Sequence, residues 1–151
     1  MKQIIISETD FQKARNKIRE AKKNGIEIIF SSDDDELNRK ILEKEKIDVL
    51  LLTLSNRKDF MKQRNSSLNQ VLAKLAKKNN VSIGINLDEV LSAKSLKEKS
   101  EILARVRQNI KLCNKNKLKM RFISEGNADK YNLKSLGLTL GMPTWMTSAL
   151  A

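Results

Sequence analysis

The chain has 151 residues, of which 40% are hydrophobic and only 4% aromatic, so it can bury a largely aliphatic core and is not a disordered protein. It has no histidine and a single cysteine, Cys113, which excludes Ser-His-Asp and Cys-His catalysis, His-ligated zinc and an internal disulfide. The net charge is +12 and lies entirely in residues 51–151, which hold 19 Lys or Arg and 7 Asp or Glu, whereas residues 1–50 hold 11 of each sign.

Short apolar runs alternate with helical patterns along the chain. The runs predict strands at 3–7, 26–31, 48–53, 81–86 and 119–124. Helical spacing of apolar residues predicts helices at 9–25, 33–47, 67–79 and 95–115, a short turn of helix at 88–91 and one or two short helices near the C-terminus. Strands that are apolar along their full length and alternate with helices indicate parallel βαβ units. About five such units fit either an open doubly wound sheet or an incomplete β/α barrel.

Membrane and secretion signals are weak. No apolar run approaches the ~20 residues that a membrane helix needs. The apolar segment after Met1 is also too short for a signal peptide. We therefore expect a cytoplasmic protein without a membrane partner.

Carboxylates cluster where the predicted strands end. They are Glu8, Asp33, Asp34, Asp35, Asp88 and Glu125. Because catalytic groups of β/α folds lie at this rim, a metal-dependent phosphoesterase is one hypothesis. Helix capping explains Asp33 to Asp35 and Asp88 more economically. The chain also lacks a glycine-rich phosphate loop, so we expect no nucleotide cofactor.

Basic residues dominate two predicted helices. The first is expected to bury Leu68, Val71, Leu72 and Leu75 and to expose Gln70, Lys74, Lys77 and Lys78. The second is expected to bury Leu103, Val106, Ile110 and Cys113 and to expose Arg105, Arg107, Lys111 and Lys115. Side chains placed in this way can neutralise phosphates, which favours a nucleic-acid partner. A lysine-rich face that only solvates the protein fits the same pattern.

Two blocks resemble the ribonuclease P protein component 3 family, the archaeal relatives of the thirty-kilodalton eukaryotic subunit. They are "NRKDFMKQRNSSLNQVLAKLAKKNNVSIGIN" (56–86) and "LCNKNKLKMRFISEGNADKYNLKSLGLTLGM" (112–142). The resemblance extends from about Ile47 to Met142. This chain is shorter than the family, with the missing part N-terminal, and it has Gln70 where some members carry histidine.

The resemblance implies a TIM-like β/α barrel similar to the PHP phosphoesterases but without their metal-binding histidines. We therefore expect one barrel-like domain over residues 1–151, shortened to about five parallel strands. The family supplies a protein subunit of the enzyme that removes the 5′ leader from precursor tRNA. In that enzyme the RNA is the catalyst, with magnesium, and the subunit binds this RNA and pairs with protein component 2.

We accordingly expect no catalytic residue, no metal ligand and no cofactor on the protein itself. The resemblance implies RNA contacts at Arg57, Lys74 and Lys117. The charge pattern adds further candidates, which are Lys77, Lys78, Arg105, Lys111 and Lys115. The remaining alternatives are the metal-dependent phosphoesterase and an unrelated basic protein such as a ribosome-associated factor.

Five strands cannot close a barrel of eight. We expect apolar strand residues such as Ile4, Ile6 and Leu51 to lack barrel neighbours. The C-terminal segment from Met142 to Leu150, or a second chain, is expected to cover this open side.

Overall fold

The computed structural model describes residues 2–148 and 150, and it contains one sheet of five parallel strands. The strands are β1 (Gln3–Ser7), β2 (Glu27–Ser31), β3 (Val49–Leu52), β4 (Ser82–Asn86) and β5 (Met120–Ile123). Their order in the sheet is their order in the chain, so each strand pairs with the one before it. In a doubly wound sheet the strand order reverses at a switch point. A sequential order of parallel strands is instead the order found in a segment of a β/α barrel. The predicted shortened β/α barrel is therefore confirmed.

Within the described residues, seven helices connect and follow the strands. They are α1 (Phe11–Lys23), α2 (Asp35–Lys44), α3 (Gln70–Lys78), α4 (Leu87–Leu91), α5 (Leu96–Lys115), α6 (Lys130–Leu140) and α7 (Thr144–Thr147). Side chains of Asp10, Asp34 and Ser95 cap α1, α2 and α5 by accepting backbone N–H groups of the first turn. None of the described helices combines the length and the apolar character needed to cross a membrane.

The start of α3 differs from the prediction. The sequence pattern places it at Ser67, but Ser67 has a left-handed φ of 66° and cannot occupy a helical turn. The helix begins at Gln70, and the side chain of Asn69 caps it by accepting the N–H of Leu72 at 2.9 Å.

The main core lies on one face of the sheet. Strand side chains such as Phe30, Leu50 and Ile83 pack there against apolar residues from all seven helices. On the opposite, concave face a second cluster contains only strand residues, which are Ile29, Val49, Leu51 and Ile123. Both faces of the central strands β2, β3 and β4 are thus buried, as their apolar sequences predict, whereas β1 is largely exposed on both faces. Within the described residues, helices cover only the face that carries the main core.

The sheet is strongly curved. The guanidinium of Arg121 on β5 forms an ion pair with Glu27 on β2, although β3 and β4 lie between these strands. Gly84 is the neighbour of Arg121 in β4, and a Cβ there would lie 3.0 Å from side-chain atoms of both Leu51 and Val49. The missing side chain leaves room for the apolar cluster on the concave face.

The C-terminal segment covers a different surface from the expected one. Met142, Met146 and Leu150 are buried in the main core on the helix side. The indole N–H of Trp145 donates to Asn114 Oδ1 at 3.0 Å, which holds α7 against the end of α5. The prediction that this segment covers the open side is therefore wrong for the concave face.

The strand residues expected to lack neighbours also behave differently. Ile6 and Leu51 are buried, whereas Ile4 and Ile5 are 40% and 44% exposed. Both exposed residues lie on β1, which pairs with a single strand, β2, in the described part of the chain.

Candidate nucleic-acid interface

Six exposed lysines lie on adjacent elements and form what we call the lysine surface. They are Lys74, Lys77 and Lys78 on α3, Lys111 and Lys115 on α5, and Lys117 in the turn after α5. The side-chain amides of Gln70 and Asn116 exchange two hydrogen bonds of 3.2 Å between the two helices. Lys77 Nζ also donates to the carbonyl of Lys117 at 2.9 Å. These contacts hold the six ammonium groups on one continuous side of the molecule.

The orientation of α3 explains why its lysines face solvent. Its buried residues are Leu72, Ala73 and Ala76, and the two alanines allow the helix to approach the sheet closely. Lys74 and Lys78 therefore lie on the opposite side of the helix. Val71, which the sequence pattern places in the buried stripe, is instead 57% exposed. That prediction fails because the helix turns Leu72, Ala73 and Ala76 to the core, a stripe that does not include Val71.

The lysine surface carries uncompensated positive charge. Within the described residues none of its six lysines forms a salt bridge, whereas seven of the eight arginines do. From Arg105 to Arg121 the chain holds seven basic residues and no acidic one. Free ammonium groups on flexible stems are suited to phosphate oxygens and provide little sequence discrimination.

Arg105 does not belong to this surface, although the sequence pattern places it there. Its side chain is 3% exposed. It donates hydrogen bonds to the carbonyls of Leu54 and Arg57, both at 2.9 Å, and to Asp59 Oδ1 at 3.1 Å. The prediction that it points to solvent is wrong because the segment 53–69 packs over this part of α5, and helical periodicity contains no information about that segment.

Arg57 is also engaged within the protein. Its guanidinium donates to both carboxylate oxygens of Asp35 at 3.0 Å, and its Nε–H donates to the carbonyl of Thr53. Its side chain is mostly buried. Arg57 and Arg105 thus order the segment 53–69 from opposite sides, and their donors are already occupied. An RNA contact by either residue stays an untested prediction.

Two carboxylates complete this anchoring, and sequence reasoning did not identify them. Glu89 accepts the backbone N–H groups of Leu54 and Ser55, the first at 2.9 Å. Asp59 accepts the N–H of Asn65 at 2.9 Å and pairs with Arg105, and both contacts lower the pKa of Asp59. The role of Asp59 is hard to predict from the sequence, because its partners Asn65 and Arg105 lie 6 and 46 residues away.

The rim carboxylates act mainly as local anchors. Asp34 caps α2, as capping predicts, but Asp35 binds Arg57 and Ser67 instead of capping a helix. Asp88 accepts the hydroxyl of Ser124 at 2.7 Å and the N–H of Glu125 at 2.9 Å, which lowers its pKa. Glu8 is paired with Lys17, which lowers the pKa of Glu8.

The hydrogen bonds of the rim carboxylates determine whether their oxygens are available to a metal ion. Within the described residues no group of three His, Cys, Asp or Glu side chains is placed to hold one. Since Asp34, Asp35 and Asp88 already accept protein donors, the rim resembles a set of loop anchors more than a metal centre.

Two other residues that sequence reasoning considered are structural. Burial raises the pKa of the Cys113 thiol to about 12, so Cys113 is an inert core side chain, as expected. Trp145 is half-buried, and Lys117 Nζ lies 5.6 Å from its ring centroid. Trp145 therefore supports one end of the lysine surface by packing.

Comparisons with known proteins agree with the resemblance in the sequence. No family model matches the chain. The ribonuclease P protein component 3 of Methanococcus maripaludis strain C6 is 29% identical over 145 residues, which cover 95% of this chain and 57% of that protein. The same component of Methanococcus vannielii is 33% identical over 121 residues, covering 80% of this chain and 49% of that protein.

A solved structure shows the same fold. A chain in the cryo-EM structure of archaeal ribonuclease P with mature tRNA superposes with a TM-score of 0.76 at 22% identity, covering 95% of this chain and 62% of that chain. This chain spans about half the length of the curated relatives it matches. By its sequence, the chain is a homologue of ribonuclease P protein component 3.

Proposed function

We propose that the chain is a protein subunit of ribonuclease P that binds the catalytic RNA and supports removal of the 5′ leader from precursor tRNA. The observation that carries this proposal is the lysine surface, whose six ammonium groups have no carboxylate partner among the described residues. The homology to component 3 proteins supplies the identity of the RNA.

The protein's contribution is electrostatic and positional. Each exposed lysine that contacts a phosphate releases condensed counterions, which favours binding without reading sequence. The sheet and the ordered segment 53–69 hold α3 and α5 in place, so the six charges are presented at fixed spacing. RNA folding and assembly are expected to be stabilised because repulsion between neighbouring phosphates falls.

The chemistry of cleavage is assigned to the RNA. The rim carboxylates Asp34, Asp35 and Asp88 are occupied by protein donors, which supports a subunit without a catalytic group, metal ligand or cofactor of its own. Magnesium is then required by the RNA-catalysed reaction. Protein component 2 and precursor tRNA are the proposed partners in the holoenzyme, and the cytoplasm is the proposed location.

A neutralising variant of the lysine surface tests the proposal. The triple change Lys74→Gln, Lys78→Gln and Lys111→Gln should reduce the dependence of log K on log salt for ribonuclease P RNA by about 0.7–0.9 per lost contact. It should also weaken 5′ processing in an enzyme reconstituted with the RNA and component 2. Filter binding over a salt series and a cleavage assay provide the two measurements.

The matched control removes the same charge elsewhere. Lys22→Gln, Lys23→Gln and Lys46→Gln also neutralise three exposed lysines, but these lie in or near α1 and α2. This control should retain the salt dependence of the parent protein. Equal losses in both triple variants would show that only net charge matters, and an unchanged slope in the first variant would place the RNA surface elsewhere.

A further inference from the structure

A groove runs across the start of α3, next to the lysine surface. It consists of two adjoining cavities of about 420 Å³ and 530 Å³, which lie towards α2 and towards α5 respectively. The two cavities share Gln63, Leu68, Asn69 and Val71 in their walls. We call this continuous feature the Val71 groove. Each cavity falls within the size range of small-molecule sites in proteins.

The two ends of the groove differ in charge. Towards α5, Lys111 and Lys115 line the wall and no carboxylate does. Towards α2, Arg39 and Arg64 are balanced by Asp35 and Glu36. A polyanionic ligand would therefore place its negative charge at the α5 end and a neutral group at the α2 end.

The floor of the groove is apolar and exposed. Phe60 is 59% exposed at the α2 end, and Val71 is 57% exposed in the middle. The floor continues towards α5 through Leu112. An exposed aromatic ring is a group on which a nucleobase can stack, and a branched aliphatic side chain adds apolar contact.

Amide side chains stand beside this floor. The Gln63 side chain has no hydrogen-bond partner within residues 2–148 and 150, and Asn69 uses only Oδ1, to cap α3. Both can therefore offer donors to a ligand, and Gln63 can also accept. Amides of this kind can pair with the edge of an unpaired base.

We propose that the Val71 groove binds an unpaired stretch of RNA, with a base against Phe60 and Val71 and the adjacent phosphates on Lys111 and Lys115. The inference rests on the proposed function and deepens it, because it names single-stranded RNA as the class of ligand at this end of the lysine surface. A duplex presents phosphates to the lysines, but its stacked bases cannot enter a cavity. The α5 end carries two lysines and no carboxylate, so it favours the phosphates of RNA over a peptide with few acidic residues.

The double variant Phe60→Ala and Val71→Thr tests the groove. Both side chains are exposed, so the fold should remain, which thermal unfolding checks. Affinity for a single-stranded RNA oligonucleotide should fall roughly tenfold, since base–aromatic stacking contributes about 1–3 kcal/mol. Affinity for a duplex of the same length, and the salt slope for both RNAs, should not change because the phosphate contacts remain.

A matched control and a cross-linking experiment make the test specific. Leu91→Ala with Leu138→Thr changes two exposed apolar residues outside the groove and should have no effect on either RNA. A single strand carrying 4-thiouridine should cross-link to peptides that contain Phe60 or Val71. Loss of duplex binding in the groove variant, equal loss in the control, or cross-links confined to other peptides would each overturn the inference.

The experiments on the groove and on the lysine surface test the inference and the proposed function separately. If the groove variant binds single strands normally while the lysine triple variant loses salt dependence, the inference is wrong and the subunit proposal stands. If component 2, without RNA, binds the parent protein but not the Phe60→Ala and Val71→Thr variant, the groove is a protein-binding surface and the inference is also overturned.

Discussion

At the scale of single residues, arginines and lysines have different tasks in this protein. Within the described residues seven arginines form ion pairs, and five of these pairs join elements distant in sequence, such as Arg121 with Glu27 across the concave face. The planar guanidinium suits these tasks because it donates several hydrogen bonds in a fixed geometry. The lysines of the lysine surface remain free for a partner. A charge count that merges both residue types therefore overestimates the charge available to RNA.

Arg105→Ala should destabilise the protein by about 2 kcal/mol or more. The change leaves the buried carbonyl of Leu54 without a donor, and an unsatisfied buried group costs about 1–3 kcal/mol. It also removes the ion pair that joins Asp59, in the segment 53–69, to α5. Urea unfolding followed by circular dichroism measures the change in the free energy of unfolding.

Arg107→Ala is the matched control, because Arg107 is exposed on the same helix. Its effect should stay within about 0.5 kcal/mol. If Arg105→Ala were equally mild, Arg105 would not be an anchor of the segment 53–69, and its role as a surface charge would have to be reconsidered.

At the scale of elements, short helices are positioned by what they pack against. Helix α3 has nine residues, too few to be stable alone, and its orientation follows from Ala73 and Ala76 against the sheet. Helix α7 has four residues and depends on contacts with α5 and α6. The contacts of these two elements therefore decide where the neighbouring lysines lie.

Met146→Ala should destabilise the protein by about 2–5 kcal/mol, the usual range for truncating a fully buried methionine. The C-terminal segment would lose its central core contact, and α7 should separate from α5. Differential scanning calorimetry should show a lower melting temperature, and the indole fluorescence of Trp145 should shift to longer wavelength.

Leu138→Ala provides the control for the C-terminal region, since Leu138 is exposed on α6. It should leave the melting temperature almost unchanged. A Met146→Ala protein that melts like the parent would show that the C-terminal segment contributes little to the core.

At the scale of the whole molecule, a curved five-stranded sheet carries helices on one face and a small apolar cluster on the other. The rim where barrel enzymes place catalytic groups is occupied here by carboxylates that hold loops. The positive charge lies on the outer helices instead. Among the described residues, uncompensated positive charge therefore lies on the lysine surface of α3 and α5, and the rim has a structural role.

The isolated protein should not cleave precursor tRNA, and Asp33→Asn with Asp88→Asn should not reduce the activity of the reconstituted enzyme. Neither carboxylate is placed with others to bind a metal ion within the described residues. The measurement compares 5′ processing by protein alone, by RNA with partner proteins, and by the same assembly with the double variant. Magnesium-dependent cleavage by the protein alone, abolished in the double variant, would restore the phosphoesterase hypothesis.

Much of the architecture could be predicted from the sequence. Apolar runs such as that at β3 identify buried strands, and the alternation with amphipathic helices identifies parallel βα units, because both patterns reflect burial of neighbouring residues in the chain. The lysines of α3 and α5 were also identified as exposed. The absence of histidine and the acid-free stretch after Arg105 are properties of the sequence alone.

The tertiary structure decided which basic residues are free and where the ends of the chain pack. Arg57 and Arg105 resemble surface residues in a loop or helical pattern, but Arg57 binds Asp35 on α2 and the segment 53–69 folds over Arg105, whose partner Leu54 is 51 residues away. Val71 is exposed because α3 packs on the core through Leu72, Ala73 and Ala76. Periodicity describes one element at a time, whereas these outcomes depend on contacts between elements that only the folded chain brings together.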